Sequence, residues 1–296
     1  MKNRIVRRAF TALCICSLTA GLVGCSKQVD NKGAKATEEP AKQVDYNEDE
    51  NSNLGPWARA MGSVLIFLND GNPYYFGGYL ITEDNKNGAA NILSASWDIG
   101  SREDLLVQIQ NLLAEGDRVA FRKEAKEMNA MSKKQLKTAM KQLSGDLLLH
   151  YELVQYNWEK WGSKGLLAWD MCRISHLVQW GYVAGYLSRE EAQALIEPAA
   201  RRLQKDFTSW EEVQNNWLDG FCLFAGIDPE TSNTDYTNRK SLYERLVKAE
   251  DGHKDKMLYD DTLFTEDITV ISGVSYKTIL KEGVNGKKKT NSKKKA

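Results

Sequence analysis

The stretch GLLAWDMCRISHLVQWGYVAGYL, Gly165 to Leu187, decides the fold. Its large apolar residues recur at helical spacing, with Leu166, Trp169, Leu177, Trp180 and Ala184 on one side. On a wheel of about 100° per residue, starting at Leu166, they fall between about −60° and +20°. Asp170 falls near about +40° and Arg173 near about −20°, so both charges lie inside the apolar stripe. Buried charges are costly unless paired and hydrogen-bonded. Two readings follow. The spacing of three lets Asp170 and Arg173 pair with each other or cap neighbouring helix ends. Alternatively they floor a polar pocket ringed by Trp169 and Trp180, with His176 on its rim.

Helical patterning continues outward. In Gly145 to Trp161, the residues Leu147, Tyr151, Val154, Trp158 and Trp161 repeat at alternating gaps of four and three. Ser101-Arg-Glu-Asp, Ser132-Lys-Lys-Gln, Ser188-Arg-Glu-Glu and Ser209-Trp-Glu-Glu each read as a helix start. There the serine hydroxyl accepts from an orphan backbone N–H and the residue three positions on reaches back. Trp57 to Leu68 opens the helical body. Gly71 to Asn91 reads as a loop with a short hairpin, and Asp267 to Leu280 as a late strand. The expectation is a mainly α, single compact helical domain over 54–280, with at most that hairpin or strand.

The N-terminus reads as an address. Met1 to Arg8 carries Lys2, Arg4, Arg7 and Arg8 without an acid, and Ala9 to Gly24 has no charge. This is the n-region and h-region of a secretory signal, and it is short for a spanning helix. It ends in Leu22-Val23-Gly24-Cys25, which resembles the lipobox of bacterial lipoproteins. That resemblance implies cleavage between Gly24 and Cys25, with diacylglycerol and palmitate-type chains on the Cys25 thiol. Two or three acyl chains hold a protein stably on a membrane. The expected location is the cell membrane or outer membrane, facing away from the cytoplasm. Residues 1–24 are then the signal peptide and 25–53 a polar, disordered tether.

Removing Lys2, Arg4, Arg7 and Arg8 from 40 basic side chains leaves 36 against 40 acidic ones, a net charge of about −4. Residues 281–296 hold Lys287 to Lys289 and Lys293 to Lys295 and read as a solvated disordered tail. Its functional alternative is contact with anionic lipid or wall polymer. No aromatics sit between these lysines, so nucleic acid is not an expected partner. Of five cysteines, Cys172 and Cys222 remain after the leader and the lipidated residue. An oxidising location permits a disulfide between them, but their spacing does not specify one. The chain carries no zinc-binding pattern, phosphate-binding glycine loop or nucleophile elbow, so no metal and no cofactor is expected.

Five ordered blocks resemble a known family: Ser96-Trp-Asp-Ile-Gly-Ser-Arg-Glu-Asp-Leu, Ala168-Trp-Asp-Met-Cys-Arg, Trp180-Gly-Tyr-Val-Ala-Gly-Tyr, Phe207-Thr-Ser-Trp-Glu-Glu and Trp217-Leu-Asp-Gly. They are similar to the bacterial family catalogued as domain of unknown function 1266. The likeness covers about 94–224, with Trp57 to Gly78 as a suggested N-terminal part. It implies a domain and no reaction. Among its recurring residues, Ser101 and Ser209 suit caps, Gly181 and Gly185 suit close helix approach, and the tryptophans suit packing. Arg102, Asp170 and Arg173 are left as a candidate polar site with His176, beside a candidate aromatic pocket of Trp97, Trp169 and Trp180. The leading expectation is a non-enzymatic module that binds an envelope protein, peptide or glycan. One alternative is a hydrolase or anionic-ligand binder using Asp170, Arg173 and Arg102. Another is an immunity- or toxin-associated protein.

Overall fold

The computed structural model describes residues 52–231, 233–249 and 257–293. The chain runs through α1 (Leu54–Leu68), α2 (Glu83–Trp97), α3 (Arg102–Ala114), α4 (Gly116–Asn129), α5 (Lys133–Met140) and α6 (Gly145–Trp161). It continues through α7 (Leu167–Val183), α8 (Arg189–Asp206), α9 (Trp210–Ala225), α10 (Thr234–Lys248), α11 (Asp261–Thr265) and α12 (Tyr276–Lys293). There is no strand among the described residues, and no helix among them is long and apolar enough to cross a membrane. Gly24, Cys25 and the tether up to Asn51 lie outside the described residues.

The mid-chain helix α7 is the hub. It packs against α1, α2, α3, α4, α8 and α9. Every residue from Leu167 to Gly181 is buried, so the helix has no solvent face. The single-stripe wheel therefore understates it: a helix surrounded on all sides is buried on all sides. Its polar residues are spent on neighbours. Ser175 Oγ and Gln179 Nε2 both donate to the Ala58 carbonyl of α1, at 2.7 and 3.0 Å, and Gln179 Oε1 accepts from Gly77 N–H at 3.1 Å.

Small residues set how close the layers come. A Cβ on Gly181 would lie 2.4 Å from Leu105 Cδ2 of α3, and one on Gly220 would lie 2.5 Å from Trp169 Cβ. Gly185 works differently from Gly181. Nothing lies within contact of its missing side chain, but its φ of +80° ends α7. Tyr186 N–H reaches Gly181 O at 2.8 Å and Gly185 N–H reaches Tyr182 O at 3.0 Å, the paired bonds of a Schellman stop. The four serines read as helix starts all cap: Ser101, Ser132, Ser188 and Ser209 accept the N–H three residues on, with full capping boxes at Ser132 and Ser188.

Three expectations change. The hairpin in Gly71 to Asn91 is replaced by tight turns and then α2, started by Thr82 accepting from Asn85 N–H. The late strand in Asp267 to Leu280 does not form, because no second strand lies beside it. Its backbone instead meets the start of the domain. Asn53 exchanges bonds with Thr269 at 2.8 and 3.0 Å and donates from Nδ2 to Asp267 O at 3.0 Å, while Ser52 Oγ donates to Thr269 O at 2.9 Å. Finally, the run read as a tail from Lys281 continues α12 to Lys293. Packing explains its first turns: Ile279 and Leu280 are buried, and Gly283 fits so tightly that a Cβ would sit 2.6 Å from Leu106 Cβ. Cys172 and Cys222 are free thiols in the core, and burial pushes the Cys222 thiol up to about 12.

Two glycines give opposite tests. Gly181→Ala is expected to lower the unfolding free energy by about 1–3 kcal/mol, because Leu105 must move out of a filled space. Gly88→Ala, in α2 with nothing within 4 Å, is expected to raise it by about 0.5–1 kcal/mol. Denaturant titration of both variants checks the signs.

Candidate functional site

α4 lacks a cap of its own. Glu115, at its N-cap, makes no side-chain capping bond, so the first N–H groups of the helix need an acceptor from elsewhere. Asp170 of α7 supplies it. Its Oδ1 accepts from Asp117 N–H at 2.9 Å and from Arg173 Nη2 at 2.6 Å. Its Oδ2 accepts from Arg118 N–H at 3.1 Å and from Arg118 Nη1 at 2.9 Å. Gly116 leaves room for this approach: φ is +59°, and a Cβ would lie 2.2 Å from Asp170 Oδ2. Arg118 extends the junction backward, donating to Leu112 O and Leu113 O at 2.6 Å each, the last carbonyls of α3.

The pairing reading of Asp170 therefore holds in an extended form. Asp170 has no exposed surface, and its lone pairs are engaged by two backbone amides and two guanidiniums. It cannot exchange a proton with a bound molecule without releasing the start of α4. Arg102 is not part of this group. It begins α3, ten residues before Leu112, so the helix places it about 15 Å along the axis from the junction. There it holds Glu191 with two bonds of 2.8 and 2.7 Å, Tyr186 O at 3.0 Å and Glu282 at 3.0 Å. It joins α3, α8 and α12.

The remaining predicted residues do gather. Trp169, Arg173, His176 and Trp180 share one face of α7, and Arg173 links it to Asp170. The Arg173 guanidinium lies 4.8 Å from the Trp169 ring and 5.6 Å from Trp97, the last residue of α2. Its Nη2 also contacts Asp117 Oδ2 at 2.9 Å. The His176 ring lies 5.9 Å from Trp180 and 6.3 Å from Trp217 of α9. Burial, then the charges of Arg173 and Arg239, lower its pKa from 6.5 to about 3, so it is a neutral ring at ordinary pH.

Three buried donors around this face have no hydrogen-bond partner among the described residues: Arg173 Nε, Trp180 Nε1 and Trp217 Nε1. Leaving a buried donor unsatisfied costs about 1–3 kcal/mol. The outer edge is Phe221 and Phe224 of α9 with Arg239 of α10, whose guanidinium rests 3.8 Å from the Phe221 ring. Phe224 is 47% exposed and marks where the face reaches solvent. The arrangement is rich in N–H groups and flat rings, and it suits a molecule that brings acceptors.

Asp117, Arg118, Trp217, Phe221, Phe224 and Arg239 were not among the candidate site residues expected from sequence. Trp217, Phe221 and Phe224 do fall on one helical face, which signals packing as readily as binding. For Asp117 and Arg118 the signal was the uncapped Glu115-Gly116 helix start. Arg239 had none.

Residues 92–255 match the family described as "Protein of unknown function (DUF1266)". The matched segment runs from α2 through α10 and contains the α7 hub, the Asp170 junction and the donor-rich face. Trp57 to Gly78 lie outside it. No curated protein and no solved structure was found to match the chain.

Asp170→Asn is expected to cost about 3 kcal/mol or more, because it leaves the buried Arg118 guanidinium without its countercharge and Arg173 with Asp117 alone. A loss under about 1 kcal/mol in denaturant titration contradicts the junction. His176 gives a pH test. The unfolded ring takes a proton below its usual 6.5, whereas the folded ring does so only near 3. Its contribution is complete above that ordinary value and is lost as pH falls from 6.5 toward 3. His176→Gln should flatten the fall in unfolding free energy between about pH 6.5 and 5.

Proposed function

The chain belongs to the DUF1266 family, and we propose that it is a lipid-anchored, non-catalytic binding module of the bacterial envelope. The observation that carries the binding reading is the acceptor-poor face of α7 and α9. Three unpartnered donors, a neutral imidazole and a half-buried guanidinium line it beside four tryptophans. A protein, peptide or glycan partner brings carbonyls, carboxylates or hydroxyls that satisfy those donors, while its apolar parts lie on the rings. The anchor rests on the charged leader, the uncharged run and the Leu22-Val23-Gly24-Cys25 box. The hydrolase alternative needs a carboxyl free to move a proton, and Asp170 is committed to α4 and two arginines.

Two measurements test the reading. Metabolic labelling with a palmitate analogue should mark the wild type and not Cys25→Ala; an unlabelled wild type ends the lipoprotein reading. Peptidoglycan fragments, which carry glycan, peptide and carboxylate in one molecule, should change the tryptophan emission of the protein saturably. Trp217→Phe keeps a ring but removes the N–H, and with Arg239→Gln it should weaken that response by about tenfold, or about 1.4 kcal/mol. An identical response from both variants removes the face as the binding site.

A further inference from the structure

A concavity lies on a different side of α7 from the donor-rich face, at its N-terminal end. It is a cleft of about 360 Å³ lined by Arg122 and Lys126 of α4, Trp158 of α6, Lys164 of the α6–α7 link, and Arg202 and Asp206 of α8. Four cations and one acid face this space, in a mature chain that carries more acidic than basic side chains. Helix ends explain some of this charge, since Lys126 and Arg202 fall near the C-termini of α4 and α8. They do not explain why these ends and a basic link converge on one cleft.

The charges are unequally compensated. Arg202 pairs with Asp206, and Lys164 pairs with Glu212 of α9. Among the described residues, Arg122 has only a backbone partner, donating from Nε to Ser163 O at 2.9 Å, and Lys126 has no carboxylate partner. Burial, and then the charges of Arg118 and Arg202, lower the pKa of Arg122, while Asp170 and Asp206 act in the opposite direction. Leu167, the first residue of α7, also lines the cleft, and α7 has no side-chain cap at Leu166. Asn216 of α9 supplies the cap instead, its Oδ1 accepting from Ala168 N–H at 2.8 Å, and Leu167 N–H donates to Lys164 O at 3.2 Å, so this helix end contributes its dipole and not these amides.

We propose that this cleft binds a phosphate ester, with the phosphate held by Arg122, Lys126 and Arg202 and its organic substituent lying against Trp158 and Leu167. Guanidiniums match the oxygen geometry of phosphate, and the lysines add point charge. A cleft of this size exceeds one phosphate, and the partly buried Trp158 in its wall offers the excess an apolar surface. Two sources carry this chemistry outside a bacterial cytoplasm: the headgroup of an anionic phospholipid and a soluble phosphate ester. The site goes beyond the binding reading above and shares no residue with it.

The test uses the mature chain with Cys25→Ser, so that no attached lipid contributes to binding. The indole N–H of Trp158, assigned with Trp158→Phe, is followed by nuclear magnetic resonance during titration with glycerol phosphate. Cosedimentation with phosphatidylcholine vesicles, with and without phosphatidylglycerol, is measured in parallel. The expected result is a saturable shift, or phosphatidylglycerol-dependent sedimentation, that weakens about tenfold in Arg122→Gln/Lys126→Gln. Lys126→Gln alone, at an exposed position, should weaken it in the same direction and guards against misfolding of the double variant. A response to glycerol phosphate alone assigns a soluble ester, sedimentation alone assigns a headgroup, and either supports the site. No response in either arm overturns it. So does a response that survives both cleft variants and disappears only when Lys287 to Lys289 and Lys293 to Lys295 are changed to Gln.

Discussion

The Asp170 carboxylate sits where α3, α4 and α7 meet, and the four bonds it accepts set how they meet. A fully buried carboxylate is tolerated only because two guanidiniums and two backbone amides replace its water. One of those guanidiniums, Arg118, also closes the end of α3. The other, Arg173, reaches across to the tryptophans. The same charge thus ends one helix, begins the next and aims the cation of the aromatic face. Gly116 is the backbone condition for all three, since any side chain there would occupy the carboxylate's place.

From this junction the rest of the domain can be read as successive wrapping of α7. Gly62, Gly181 and Gly220 let α1, α3 and α9 approach at distances that a Cβ would prevent. Arg102 secures the far end of α3 to α8 and α12. Because α7 is enclosed, its polar residues are buried, and its borders are its ends and its seams with the neighbouring helices. Those are the places where the donor-rich face and the basic cleft occur. The donor-rich face and the basic cleft thus both border the enclosed hub.

Much of the helical framework was legible in sequence because its signals are local. Ser101, Ser132, Ser188 and Ser209 sit three residues before the amides they cap, and Gly145 to Trp161 has the period of the helix it forms. The paired charges in α7 were legible as an anomaly in a stripe. Their partners were not, since Arg118 lies 52 residues from Asp170 and nothing local to Gly116-Asp-Arg names a distant acceptor. The basic cleft was illegible for the same reason: its cations come from three separate elements and each looks like an ordinary helix-end charge. Arg102 was misgrouped because its position at the start of α3 says nothing of what lies across from it. In the C-terminal run, lysine content suggested solvation, but Ile279, Leu280 and Gly283 hold the helix onto α3 before the lysines begin.

The bonds between Asn53 and the 267–269 segment have a mechanical meaning. They join positions 216 residues apart, so the first described turn of the domain is fastened to its last third. Any tension arriving from the N-terminal side meets this clasp before it meets α1. Its bonds from Ser52 and Asn53 share the load in parallel, and the α7 hub lies behind them. A pull on the N-terminal side is therefore borne by this clasp before it reaches the helices around the hub.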